Sequence, residues 1–244
     1  MKKLVGYLTP KIPDCAFTVD LANAMFEAGM DSLELGVPFS DPAADGETIE
    51  KAGRLALRNG FVFSDLLKIS AALKGRDLMW MGYMNPFLRR GIEKTLKEAG
   101  ELGVSALLIP DLPKEEAIAY SPLFSAASVA LIEFIAPTTP KDRIAWILQN
   151  AKKFIYLVAY TGVTGAAQSE DLQGVLAIVK AASKTPVFVG FGVNRNTAKE
   201  RAKGADGVIA GSCFVKILLD ETLSNNEKIK LASDETKAIK EAIG

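Results

Sequence analysis

Pro186-Val187-Phe188-Val189-Gly190-Phe191-Gly192-Val193-Asn194 is a short apolar run that ends in a glycine turn. Gly207-Val208-Ile209-Ala210-Gly211-Ser212-Cys213-Phe214-Val215-Lys216 repeats the arrangement and opens a short helix. Residues 196–203 between them carry a helical pattern. Run, helix, run reads as one βαβ unit, because a strand buried on both faces is continuously apolar rather than alternating. Working outward, similar runs lie at residues 4–8, 32–35, 78–81, 106–109, 130–135 and 154–158, which makes eight in all. Helical patterns fill the gaps at 18–28, 47–59, 64–73, 91–102, 114–127, 141–150 and 171–182, with Ser64-Asp65 as the expected N-cap region of the third. Strand then helix, eight times over, predicts an α/β fold of the (β/α)8 TIM-barrel type. A doubly wound open sheet is the alternative, although it usually has fewer strands. A stretch at 227–243 alternates Lys and Glu around Ile229, Ala232, Ile239 and Ile243, which predicts a final amphipathic helix packed on the barrel. No linker or low-complexity segment interrupts residues 1–244, so a single barrel domain is expected.

Composition narrows the chemistry. Of 244 residues, 49% are hydrophobic and 24% charged, which excludes disorder over most of the chain. Lys plus Arg and Asp plus Glu each number 29, so no bulk charge favours nucleic acid or an anionic membrane. No apolar window approaches the ~18 residues of a membrane span, and no signal peptide is read at the N-terminus. The two cysteines, Cys15 and Cys213, lie far apart, which fits a reducing cytoplasm. There is no histidine at all, which removes Ser-His-Asp, Cys-His and the common catalytic zinc sites. No metal site is expected. Proton chemistry must come from Asp, Glu, Lys, Tyr or Cys.

In such barrels the reaction occurs at the carboxyl ends of the strands. Glu34 stands inside an apolar strand there, where an unpaired carboxylate is costly and its pKa is raised. That suits proton transfer near neutral pH; the alternative is a buried salt bridge. Asp45 ends a long loop with two prolines, either as a catalytic acid or as a cap of the helix that follows. The loop Tyr160-Thr161-Gly162-Val163-Thr164-Gly165-Ala166 is either mobile or an anion cradle. The turns at Gly190–Asn194 and Gly211–Lys216 together predict a phosphate site, since glycine-turn N–H groups and a helix N-terminus converge there. Glu133 also interrupts an apolar strand, but it reads as pointing outward to a helix.

The residues Leu33-Glu34-Leu35-Gly36-Val37-Pro38-Phe39-Ser40-Asp41-Pro42-Ala43-Ala44-Asp45-Gly46 resemble the signature of the tryptophan synthase alpha subunit family. Tyr83-Met84-Asn85-Pro86, Pro110-Asp111-Leu112-Pro113, Gly162-Val163-Thr164-Gly165, Gly190-Phe191-Gly192-Val193 and Gly211-Ser212 match in the same order. The resemblance covers nearly the whole chain. It implies retro-aldol cleavage of indole-3-glycerol phosphate to indole and glyceraldehyde 3-phosphate, with no cofactor in this chain. By the same resemblance, Glu34 is the general acid–base and Asp45 stabilises positive charge at the indole nitrogen. Gly165, Gly192, Gly211 and Ser212 hold the phosphate, and Tyr7 and Tyr156 line the indole pocket. It further implies a beta subunit bearing pyridoxal phosphate, in an alpha2beta2 assembly, near Asp41, Pro42 and Asn85. The sequence departs from the family pattern in three places. A leading helix at the barrel base is expected to be missing or reduced. Thr9-Pro10-Lys11-Ile12-Pro13-Asp14 replaces the usual loop after the first strand, and Tyr160 stands where many members have a Ser-Arg pair. Two rivals remain. One is a sugar-phosphate isomerase or aldolase, although no apolar run has an interior lysine for a Schiff base. The other is a mainly regulatory subunit.

Overall fold

The structure, a computed structural model, describes residues 1–159 and 172–244. The early elements are β1 (Lys3–Leu8), α1 (Cys15–Glu27), β2 (Ser32–Gly36), α2 (Glu47–Arg58), α3 (Phe63–Ala72), β3 (Leu78–Met81), α4 (Met84–Arg90) and α5 (Ile92–Glu101). Then come β4 (Val104–Leu108), α6 (Lys114–Ala126), β5 (Ala130–Leu131), β6 (Glu133–Ile135), α7 (Lys141–Ile147) with a 3-10 turn at Leu148–Asn150, and β7 (Ile155–Val158). The chain continues through α8 (Leu172–Ala182), β8 (Val187–Gly190), α9 (Ala198–Arg201), β9 (Gly207–Ala210), α10 (Ser212–Leu219) and α11 (Asn225–Ile243).

Among the described residues all strand pairings are parallel, in the order β5-β4-β3-β2-β1-β9-β8-β7-β6. The two ends of that order, β5 and β6, are consecutive in the chain. β5 pairs with β4 and β6 with β7, so one apolar run serves both neighbours and the sheet rolls into a (β/α)8 barrel. The eight expected strands thus become nine segments, because the run at 130–135 breaks at Ile132. The Ile132 N–H still donates to the Leu107 carbonyl at 3.0 Å.

Strand alternation sorts the side chains. Val5, Met79, Ala106, Ile132, Phe154, Phe188 and Ile209 fill the barrel interior. Leu33 and Leu35 turn the other way, into the helix layer with Leu21 and Leu66. Trp80 is fully buried on that outer side, and its Nε1–H donates to Ser70 on α3 at 2.9 Å. Such a buried aromatic contributes roughly 2–3 kcal/mol.

Three local expectations are corrected. α4 is a helix where none was expected; Gly91, at φ +95°, breaks it from α5. α3 begins one residue early, with Val62 at the cap; Asp65 sits inside the first turn, accepting the Val62 N–H at 3.2 Å while it pairs with Lys11. α9 shrinks to one turn because the residues before it form a separate hydrogen-bonded turn.

The amino end of the barrel is closed by charge. Asp77, just before β3, takes Lys153 Nζ at 2.8 Å on both carboxylate oxygens, from just before β7. Ser32 at 2.6 Å and Ser105 at 2.5 Å also donate to it. Burial alone would raise the Asp77 carboxyl, but Lys153, Ser105 and Ser32 hold it below the usual carboxylate range. Above this floor Phe154 and Phe188 stack, with centroids 4.6 Å apart.

Candidate active site

The carboxyl end of the barrel opens into a cleft of about 590 Å³, counting its open mouth. That volume is in the range of small-molecule sites. Tyr7, Glu34, Asp45 and Tyr156 line it, together with Gly192, Gly211 and Ser212. Seven residues named from sequence therefore converge in one place. Gly165 and the loop at 160–166 lie outside the described residues.

Glu34 reaches the cleft because β2 alternates. Leu33 and Leu35 face the helices, so Glu34 faces the interior, in register with Tyr7 on one side and Met79 on the other. It is 1% exposed, and its Oε1 has no hydrogen-bond partner among the described residues. Burial pushes its carboxyl up to about 8. The buried salt bridge offered by sequence is not formed among the described residues. Glu34 is therefore protonated near neutral pH, as a proton donor requires.

Asp45 does not cap α2. The cap position is Gly46, with no side-chain cap bond, and Glu47 and Glu50 supply the first-turn acids. Asp45 is instead raised by burial, an effect opposed by its hydrogen bond to the Tyr83 hydroxyl. Tyr83 also accepts the Ala44 N–H at 2.8 Å, and its ring lies 5.6 Å from that of Phe39. One tyrosine thus pins the loop that carries Asp45. Tyr83 is held in turn, since the next residue, Met84, donates its N–H to Asp111 Oδ1 at 2.8 Å.

The two cleft tyrosines sit within electrostatic reach of both acids. Tyr7 is raised by burial first and then by the Asp45 and Glu34 charges; Tyr156 is raised by burial, then by Glu34 and Asp45. Neither ionises at working pH, so both serve as walls. Gly36 and Gly190 make room for them: a Cβ at Gly36 would overlap the Tyr7 hydroxyl, and one at Gly190 the Tyr156 hydroxyl. Phe134 stacks on Tyr156 at 4.9 Å.

On the same cleft, Gly211 is the N-cap residue of α10 and Gly192 takes φ +70° in the turn after β8. The free N–H groups at the start of α10 and its dipole favour an anion. Sequence reasoning missed Phe191, Met81 and Ile49 on the cleft wall. Phe191 holds φ +73° between two glycines and is 39% exposed, its ring edge-on to Tyr156. An aromatic residue between glycines at a strand end was the available signal. No lysine is among the described residues lining the cleft, so the Schiff-base rival has no amine there. Asp41 and Asn85 are exposed and Pro42 half-buried, outside the cleft.

A parallel barrel with a buried, protonated acid and an anion-favouring helix terminus at its carboxyl end defines a (β/α)8-barrel enzyme of acid–base chemistry. The family model described as "Tryptophan synthase alpha chain" matches residues 1–243. The tryptophan synthase alpha chain of Wolinella succinogenes is 50% identical over 245 residues, covering 100% of this chain and 96% of that one. Among solved structures, tryptophan synthase from Mycobacterium tuberculosis in its aminoacrylate-bound form superposes with a TM-score of 0.88 at 31% identity, covering 100% of this chain and 94% of that one. Tryptophan synthase subunit alpha from Campylobacter jejuni gives 0.86 at 33% identity, with 98% and 95% covered. The chain belongs to the tryptophan synthase alpha chain family. It is a carbon–carbon lyase that cleaves indole-3-glycerol phosphate to indole and glyceraldehyde 3-phosphate, feeding a beta subunit for tryptophan synthesis.

Proposed function

We propose that Glu34 is the general acid–base of this cleavage and that Asp45 stabilises the positive charge developing at the indole nitrogen. The observation that carries the reading is Glu34 itself: a buried acid facing the cleft, with one oxygen unpartnered among the described residues and a carboxyl raised to about 8. Breaking the bond between indole C3 and the glycerol chain requires a proton on C3 and the loss of one from the neighbouring hydroxyl. A protonated Glu34 gives its proton to C3. The resulting carboxylate takes the hydroxyl proton as the bond breaks, and the side chain ends as it began. Asp45 compensates the charge created at nitrogen when C3 is protonated; burial raises its carboxyl, and its bond to Tyr83 opposes that rise and favours the anion.

Tyr7 and Tyr156 wall the indole pocket, and Gly165, Gly192, Gly211 and Ser212 hold the phosphate. The carbon–carbon cleavage is assisted by two proton transfers that a carboxyl group can carry out, so this chain needs no metal or organic cofactor; pyridoxal phosphate belongs to the beta partner. Residues 1–244 act as one barrel domain. Asp41, Pro42 and Asn85 form part of the surface that meets the beta subunit in an alpha2beta2 assembly. No described helix is long and apolar enough to cross a membrane, and the enzyme works in the cytoplasm. The test is steady-state cleavage of indole-3-glycerol phosphate by Glu34→Gln and Asp45→Asn. General acid–base groups contribute ~10²–10⁴-fold, so Glu34→Gln should lose at least that lower factor; Asp45→Asn removes the charge opposite the indole nitrogen and should also slow cleavage. A Glu34→Gln rate above about a tenth of the parent contradicts the assignment. Turnover with and without the beta subunit separates catalysis from the regulatory rival, which predicts slow turnover of the chain alone.

A further inference from the structure

Two charged side chains of α11 are buried, and the chemistry above uses neither. Lys228 and Glu235 are 8% and 7% exposed and stand two helical turns apart, on one face. A buried charge persists only where it is hydrogen-bonded, so what each one holds is informative. Lys228 Nζ donates to the Leu218 carbonyl at 2.8 Å, in the last turn of α10. That carbonyl belongs to a helix end that lacks intrahelical partners. Glu235 Oε1 accepts the Arg195 N–H at 2.9 Å, and its Oε2 pairs with Arg195 Nε.

Arg195 belongs to the turn that begins at Gly192. Thr197 Oγ1 donates to the Gly192 carbonyl at 2.6 Å and accepts the Asn194 N–H at 3.0 Å. The Ala198 N–H closes the turn on the Asn194 carbonyl at 2.9 Å. The turn is therefore internally bonded from Gly192 to Ala198, with Glu235 gripping its middle. One face of α11 thus holds both the turn that bears Gly192 and the helix that starts at Gly211 and Ser212.

We propose that α11 positions the phosphate cradle: Glu235 and Lys228 are positioning residues that fix the spacing between the Gly192 turn and the N-terminus of α10. The inference rests on the phosphate reading given above. Backbone N–H groups drawn from two separate segments grip one anion well only when their separation is held to ~0.5 Å. The strands that lead into the two segments, β8 and β9, pair as far as Gly190 and Ile209, and beyond that point α11 bridges the segments. The far end of the same helix supplies the contrast. Lys240 Nζ bonds Asp31 and the Lys2 carbonyl at the amino end of the barrel, away from the cleft.

The experiment uses the full chain and sn-glycerol 3-phosphate as a competitive inhibitor of cleavage, with indole binding and thermal unfolding measured in parallel. Glu235→Ala and Lys228→Met should raise the inhibition constant and the substrate KM about tenfold, as loss of charged hydrogen bonds implies. kcat should stay within about twofold and indole affinity should not change, the pattern of lost uniform binding. Glu235→Gln, which keeps an acceptor for the Arg195 N–H, should recover most of the affinity. Lys240→Met should lower Tm but leave the inhibition constant alone. The proposal is overturned if Lys240→Met weakens inhibitor binding as much as Glu235→Ala, or if Glu235→Ala lowers only Tm. Should Glu235→Ala not fold, Lys228→Met and Glu235→Gln carry the comparison. Ser212→Asp separates the two levels. If it weakens the inhibitor and the α11 variants do not, this inference falls and the phosphate site stands. If Ser212→Asp binds normally, the phosphate reading falls first.

Discussion

Glu34 should make the wild-type protein less stable as pH rises, and Glu34→Gln should remove that dependence. The carboxyl titrates at about 8 in the folded protein, against 4.5 in an open chain. Below pH 4.5 both states are protonated, and the group has no effect. Above it the unfolded chain releases the proton and the folded protein does not, so the unfolded state gains free energy at ~1.4 kcal/mol per pH unit. The deficit is ~3 kcal/mol at pH 7 and levels off near pH 8 at roughly 5 kcal/mol. A glutamine cannot titrate. Any fixed cost of burying its amide is the same at every pH and drops out of the comparison. Urea unfolding of both proteins at pH 5 and pH 8 reads the effect. Between those two pH values, wild type should lose about 3–4 kcal/mol relative to Glu34→Gln. Parallel stability curves for the two proteins would refute an uncharged, desolvated Glu34.

Further expectations follow from the same structure. Gly211→Asp and Ser212→Asp place a carboxylate where the phosphate dianion should sit; calorimetry should show glycerol phosphate binding lost and indole binding kept, and equal losses would move the phosphate site elsewhere. Asp41→Ala should lower the beta subunit's activating effect more than the activity of the isolated chain, within the ~1–3 kcal/mol typical of such coupling; an unchanged activation ratio in a partner titration would exclude this loop from the signal. Asp77→Ala opens the barrel floor. With the side chain partly exposed, the loss should be about 1 kcal/mol. Because the folded-state carboxyl is lowered, that contribution is present above the usual aspartate range and is lost as pH falls from that range through the lower folded-state value; a difference from wild type that does not shrink as pH falls below the usual range would rule the ion pair out as its source.

The barrel was legible because parallel strands covered on both faces leave continuous apolar runs, and eight of them recur between helical patterns. Glu34 was legible for the same reason: a charge inside such a run needs an explanation. Glu133 carries an identical signal with a different outcome. Ile132 and Phe134 flank it on the interior side, so it turns outward and pairs with Lys114 on α6. What stayed hidden depends on partners distant in sequence. Lys153 meets Asp77 only because the barrel brings two strand starts together. Tyr83 sat inside a recognised motif, yet its grip on Ala44 and Asp45 appears only when β2 and β3 are neighbours. Phe191 is masked in the sequence by Gly190 and Gly192, which signal a backbone turn and not a side chain on a cleft wall. The grip of α11 on Arg195 was invisible in a stretch that reads as a solvated face of alternating Lys and Glu.

The most direct test of the account is a structure of the chain with indole-3-glycerol phosphate bound to the slow Glu34→Gln variant. It should place indole C3 within ~3.5 Å of the residue 34 side chain, with the indole nitrogen facing Asp45 and the phosphate on the N–H groups of Gly192, Gly211 and Ser212. An indole ring bound away from the space between residues 34 and 45, in a complex whose phosphate is in place, would contradict the assignment of Glu34 and Asp45 as the groups that move the proton and hold the charge.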